Sequence, residues 1–161
     1  MDHLWAPWRM DFIKGEGPTG CIFCTLPAQG KDRESLIVHR GKQAYIILNK
    51  FPYNNGHLMI VPTLHVADYL AVPDAVLTEM NALTKLATRA LNEKLKPHGF
   101  NIGMNLGAAA GAGVKEHLHV HVLPRWNGDT NFLPVLADTK CMPQHLLESY
   151  DGLQPWFASN A

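Results

Sequence analysis

Residues 117–123 read His117-Leu118-His119-Val120-His121-Val122-Leu123, three histidines in strict alternation with apolar residues, in a chain of 161. Alternation with a period of two marks a half-buried strand. Side chains at i, i+2 and i+4 share one face, so Leu118, Val120 and Val122 enter the core while the three imidazoles project from the other side. At about 3.3 Å per residue, neighbouring histidines stand roughly 6.6 Å apart at the backbone and the outer pair roughly 13 Å apart, too far for one ion to hold all three. Two alternate histidines can share a metal, as in zinc hydrolases, which leaves the third for another task. An imidazole with a reference pKa near 6.5 is also largely neutral and nucleophilic at neutral pH. Three such rings on one face point to chemistry rather than packing.

The strand has to belong to a sheet, and the sequence supplies partners. Leu36-Ile37-Val38-His39 and Ala44 to Leu48 flank Arg40-Gly41-Lys42 as a hairpin. The turn signal Asn54-Asn55-Gly56 leads into His57-Leu58-Met59-Ile60-Val61, ended by Pro62. Phe100 to Asn105 and Glu116 to Pro124 read as two more strands, separated by Gly107 to Gly113, a loop of only alanine and glycine. Between the two groups lies a helix beginning at Pro73 and Asp74, with Val76, Leu77, Met80, Leu83, Ala87, Ala90 and Leu91 on one stripe and Pro97 and Gly99 as its stop. Leu26 to Lys31 reads as a loop and His145 to Tyr150 as a short C-terminal helix. The predicted fold is α+β, an antiparallel sheet of about five strands with one long helix packed on it.

The length fits one domain over residues 1–161, since chains divide only beyond about 250 residues. Fourteen basic residues balance fourteen acidic ones, so no net field gathers nucleic acid or an anionic membrane surface, and neither is expected as a partner. No stretch approaches the roughly 20 apolar residues of a membrane span. The start, Met1-Asp2-His3-Leu4-Trp5, has no basic region followed by an apolar run, which gives a cytoplasmic expectation. Three cysteines form no even disulfide set, and Cys21-Ile22-Phe23-Cys24 has a spacing shared by redox motifs and zinc half-sites. Thr25-Leu26-Pro27 does not read as the helix that a thioredoxin-like site requires.

The run His117 to Leu123 resembles the His-φ-His-φ-His-φ-φ motif of the histidine triad (HIT) superfamily, φ being apolar. Asn49 before a Pro-containing turn, the segment Gly56-His57-Leu58-Met59-Ile60-Val61-Pro62 and the placement of the helix match as well. This resemblance covers a core of about residues 21–126, leaving an aromatic arm at 1–20 and a C-terminal extension at 127–161. Leu4-Trp5-Ala6-Pro7-Trp8-Arg9 and Gly128-Asp129-Thr130-Asn131-Phe132 resemble the bacterial branch that cleaves diadenosine tetraphosphate by hydrolysis or phosphorolysis.

The resemblance implies a HIT-like fold and an enzyme in which His119 attacks the α-phosphorus to give a nucleotidyl-histidine. His121 and His57 then complete the catalytic cluster. It places Asn49 on the ribose hydroxyls. It leaves Asn105, Gly111, Gly113 and Lys115, with His119 and His121, as candidates around the phosphates. Family members often carry Gln, Ser or Thr just before the first histidine, whereas this chain has Ala112-Gly113-Val114-Lys115-Glu116. Phe51 or the apolar residues of the hairpin are candidates for the base pocket, and Trp126, which follows the motif, either borders the substrate or packs. Structural zinc on Cys21, Cys24, His65 and His117 is implied too, as is a homodimer. Two other readings stay open: a zinc hydrolase using triad histidines as catalytic ligands, and a nucleotide-binding module without turnover. His39, His145 and Cys141 receive no role.

Overall fold

The computed structural model describes residues 20–130 and 141–161. The expected aromatic arm, apart from Gly20, and residues 131–140 of the C-terminal extension lie outside the described residues. Five strands form one open antiparallel sheet in the order β1-β2-β3-β5-β4: β1 (Ile37–Arg40), β2 (Ala44–Leu48), β3 (Leu58–Pro62), β4 (Gly99–Gly103) and β5 (Val120–Arg125). Among the described residues three α-helices accompany it: α1 (Ile22–Ala28), α2 (Asp74–Leu95) and α3 (Leu146–Asn160).

The apolar stripe of α2 buries Val76, Met80, Leu83, Ala87, Ala90 and Leu91 against the sheet. Gly56 explains how closely the helix approaches. It has φ +73°, and a Cβ there would meet Leu95 Cδ1 at 2.6 Å, Leu91 Cδ2 at 3.1 Å and Pro124 Cγ at 3.4 Å. Pro124 therefore faces the helix, and by alternation so do Val120 and Val122, which directs His121 to the opposite face.

The histidine strand is shorter than its alternation predicts. The ladder begins at Val120, not Glu116, because β3 ends at Pro62, which has no N–H to donate. The N–H of Leu118 turns instead to the Val66 carbonyl at 2.7 Å. The histidines that alternation sets apart from the core residues are themselves covered: His117, His119 and His121 are 0%, 6% and 7% exposed. Phe23 covers the rings of His117 and His119 with centroids at 5.5 and 4.9 Å, and Tyr53 stacks on His121 at 5.6 Å.

Two helices depart from the sequence reading. The loop expected from Leu26 to Lys31 begins later, because α1 runs from the cysteine pair through Ala28 with Pro27 inside it. Pro27 cannot donate to the carbonyl of Phe23 four residues back, and the Tyr45 hydroxyl donates to that oxygen instead, at 2.7 Å. At the C-terminus, α3 runs on past Pro155 to Asn160, because the buried stripe Tyr150, Leu153, Trp156 and Phe157 continues across the proline. Trp156 Nε1 donates to Glu93 Oε2 at 2.6 Å and Phe157 stacks on His39 at 5.9 Å, fastening α3 to α2 and β1. His145 caps α3 by accepting from the Leu147 N–H, and His98 accepts from the Asn127 N–H. No helix among the described residues is long and apolar enough to cross a membrane.

Candidate active site

His119 and His121 stand side by side at the start of β5, ring centroids 4.8 Å apart, with His57 beside His121 at 5.0 Å. The register Met59↔His121 brings His57, two residues before Met59, to this place. The hydrogen bonds fix which nitrogen of each ring carries the proton. His119 Nδ1 lies 2.9 Å from the His117 carbonyl oxygen. A carbonyl only accepts, so Nδ1 bears the hydrogen and the neutral ring keeps its lone pair on Nε2.

The same logic runs through His57. Its Nδ1 receives the N–H of Tyr53 at 3.1 Å and faces Asn49 Nδ2 at 3.3 Å. The Asn49 amide is oriented independently, because its Oδ1 accepts the Phe51 N–H at 2.9 Å. His57 Nδ1 is therefore an acceptor and its proton sits on Nε2, which donates to His121 Nδ1 at 2.9 Å. His121 in turn must carry its proton on Nε2. One ring thus presents a lone pair and its neighbour an N–H donor.

All three rings are held neutral. Burial pushes His57 down to about 3, with the charges that His121 and His119 would carry lowering it further. Burial, followed by His119, pushes His121 down to about 4. His119 is lowered by burial, against its bond to the His117 carbonyl, which favours the charged form.

The first histidine of the motif faces elsewhere. His117 donates from Nε2 to the Pro62 carbonyl at 2.9 Å, which leaves Nδ1 as a lone pair. That nitrogen lies 3.3 Å from Cys21 Sγ and 3.6 Å from Cys24 Sγ, and Cys24 Sγ lies 3.4 Å from His65 Nδ1. The four donor atoms all fall within 4.8 Å of one another. Tetrahedral zinc with bonds of about 2.3 Å to sulfur and about 2.0–2.1 Å to nitrogen separates such ligands by about 3.5 Å, so the residues fit the ion. Among the described residues, no other group of three or more His, Cys, Asp or Glu side chains gathers in this way.

The expected nucleotide-binding residues flank β5 from two sides. Asn49, partly buried, stands on the β3 side with His57. Asn105, Gly111, Gly113 and Lys115 share the loop that leaves β4 beside His121, where Gly103 pairs with it, and returns at His117. Asn105 Nδ2 donates to the Gly111 carbonyl at 3.5 Å, and a short 3₁₀ turn, Ala108–Ala110, interrupts what reads as plain loop. Lys115 is exposed. Phe51 is 54% exposed. Tyr53 and Phe23, which close over the histidines, were not singled out by the sequence, although Phe23 lies between the paired cysteines and Tyr53 directly precedes the Asn54-Asn55-Gly56 turn.

An open antiparallel sheet with α2 on one face and paired histidines on the other is the architecture of the HIT proteins. The HIT domain family model matches residues 31–128, and the chain belongs to that family. It is 41% identical to the AP-4-A phosphorylase of Mycobacterium tuberculosis over 159 residues, covering 92% of this chain and 80% of that protein. Among solved structures it resembles a Zn-bound histidine triad family protein from Mycobacterium smegmatis, with TM-score 0.71, 29% identity, and 89% and 96% of the two chains covered. A hypothetical histidine triad nucleotide-binding protein from Sulfolobus tokodaii superposes with TM-score 0.68 at 28% identity, covering 86% of this chain and 90% of the other.

Proposed function

We propose that this chain is an enzyme that cleaves dinucleoside polyphosphates such as diadenosine tetraphosphate at an α-phosphate, through a nucleotidyl-histidine at His119. The observation that carries the reading is the pair of opposite tautomers, a lone pair on His119 Nε2 beside an N–H on His121 Nε2. His119 Nε2 forms a bond to the α-phosphorus as the bond to the bridging oxygen breaks. The electron pair leaves with the polyphosphate, and His121 Nε2–H donates to the departing oxygen. His57 keeps that donor in place. In the second half, phosphate or water attacks the same phosphorus and releases His119. The 41% identity to a phosphorylase favours phosphate as the acceptor.

Asn49 supplies a donor and an acceptor suited to ribose hydroxyls. Asn105, Gly111, Gly113 and Lys115 border the polyphosphate on the β4 side, where small side chains permit close approach of backbone N–H groups. Cys21, Cys24, His65 and His117 hold zinc in a closed structural site without an open position for water. The ion would tether the residue whose carbonyl fixes the His119 tautomer. Exposed Ile102, Met104 and Leu106 along and after edge strand β4 favour a homodimer.

Product analysis with diadenosine tetraphosphate tests the reading. ADP and ATP formed only with inorganic phosphate indicate phosphorolysis, AMP and ATP indicate hydrolysis, and intact substrate under both conditions refutes it.

A further inference from the structure

We propose that Asp129 is a positioning residue for the His57–His121 pair, acting through the side chain of Asn54. Its kinetic consequence rests on the cleavage reading above, whereas its structural consequence does not. Asp129 closes the turn that follows β5, where its N–H donates to the Trp126 carbonyl at 3.1 Å. Its side chain is only 8% exposed, and the carboxylate is crowded with donors. Arg125 reaches it through Nε at 2.7 Å and Nη2 at 3.0 Å, the Trp126 N–H at 3.1 Å, the Thr130 hydroxyl at 3.2 Å and Asn54 Nδ2 at 2.8 Å. A second arm of the same guanidinium binds Asn101 Oδ1 on β4 at 2.7 Å. The carboxylate is thus tied to both strands beside the site.

Asn54 carries the connection inward. It is 5% exposed, and Nδ2 also donates to the Pro124 carbonyl at 2.9 Å. Both amide hydrogens are therefore engaged, one by the strand backbone and one by Asp129. The main chain of Asn54 lies within the turn that holds His57: its carbonyl accepts the His57 N–H at 3.1 Å, and the preceding residue, Tyr53, gives its N–H to His57 Nδ1. That bond, the shorter of the two that His57 Nδ1 accepts, sets the direction of the His57–His121 hydrogen bond together with Asn49 Nδ2 at 3.3 Å. If Asn54 is released, the Tyr53 N–H is no longer aimed at the ring, only the longer contact from Asn49 Nδ2 at 3.3 Å then opposes a proton on Nδ1, and His57 carries its proton there in part of the molecules. The bond then reverses, His121 protonates on Nδ1, and its Nε2 faces the reacting phosphate as a lone pair instead of a donor. Asp129 touches none of the reacting atoms.

The test is the tautomer of each ring, read by long-range proton–nitrogen correlation on the full-length protein with ¹⁵N-labelled histidine. Wild type is expected to show His57 and His121 protonated on Nε2 and His119 on Nδ1. Protonation of His121 on Nδ1 in wild type overturns the proposal before any substitution is made. In Asp129→Asn and Asn54→Ala, His121 is expected to shift to a mixture of tautomers while His119 keeps its own. The kcat on diadenosine tetraphosphate should fall at least about tenfold with KM nearly unchanged. Arg125→Lys is the mild variant, since that side chain is 44% exposed; it retains a cation but loses the fork and should shift His121 in part. Folded variants with reduced thermal stability but a wild-type His121 pattern would mean that the network is only a staple, and would overturn the proposal. A wild-type protein with the expected tautomers and no cleavage would refute the enzymatic reading while leaving the positioning role intact.

Discussion

His57 Nε2 and His121 Nδ1 are 2.9 Å apart, and the direction of their hydrogen bond is set from outside the pair, by the Tyr53 N–H and the Asn49 amide on the far nitrogen of His57. His121 consequently offers an N–H to the site while remaining neutral. This arrangement suits protonation of a leaving polyphosphate oxygen, and it predicts that His121 matters in proportion to how badly the leaving group needs a proton. His121→Ala should lower kcat on diadenosine tetraphosphate about a hundredfold. The loss should be several times smaller on an adenylyl ester with a nitrophenolate leaving group, which departs without protonation. Equal losses on both substrates would contradict the donor role.

The buried histidines also make stability depend on pH, with a definite sign. His57 and His121 titrate in the folded protein at about 3 and about 4, and in the unfolded chain near 6.5. Between these values the unfolded chain binds more protons. Unfolding free energy therefore falls as pH drops from about 6.5 toward 4, by up to about 1.4 kcal/mol per pH unit for each ring, and is insensitive to these groups above that range. Urea midpoints measured at pH 7.5, 6 and 5 check this. A His57→Ala protein should show a shallower decline, and an unchanged slope would contradict the assignment.

Zinc analysis separates the two metal readings. Wild-type protein purified without chelator should hold about one equivalent, as a closed four-ligand site does. Cys24→Ser should lose it and melt at lower temperature, whereas His119→Ala should retain it. Zinc kept by Cys24→Ser but lost from His119→Ala would instead put the ion among the triad histidines.

Gly56 is the backbone position least tolerant of a side chain near the site. Gly56→Ala places a Cβ 2.6 Å from Leu95 Cδ1 at a φ of +73°, and should cost about 1–3 kcal/mol from left-handed strain and overpacking. A denaturant midpoint equal to wild type would show that α2 yields without penalty.

Much of this site was legible because it rests on local spacing. The alternation at residues 117–123 located the strand, the stripe from Val76 to Leu91 located α2, and the turn at Asn54-Asn55-Gly56 located the entry to β3. What was missed depended on tertiary partners. A seven-residue helix with a proline inside, α1, has no signal of its own and is completed by the distant Tyr45 hydroxyl. The burial of the histidine face came from Phe23 and Tyr53, each drawn from a separate segment. The length of α3 followed from packing on β1 and α2, which outweighs Pro155 and Gly152 in its interior. Tautomers were beyond the sequence entirely, because they depend on which carbonyl or N–H stands about 3 Å from each ring nitrogen.

Covalent trapping tests the central claim most directly. Wild-type protein mixed with diadenosine tetraphosphate and quenched within the first turnover should carry an adenylyl group on the peptide containing His119, bonded through Nε2. The adduct should be absent from His119→Ala, which should also lack activity. An adduct on another residue, or a His119→Ala protein that cleaves at the wild-type rate, would contradict the account.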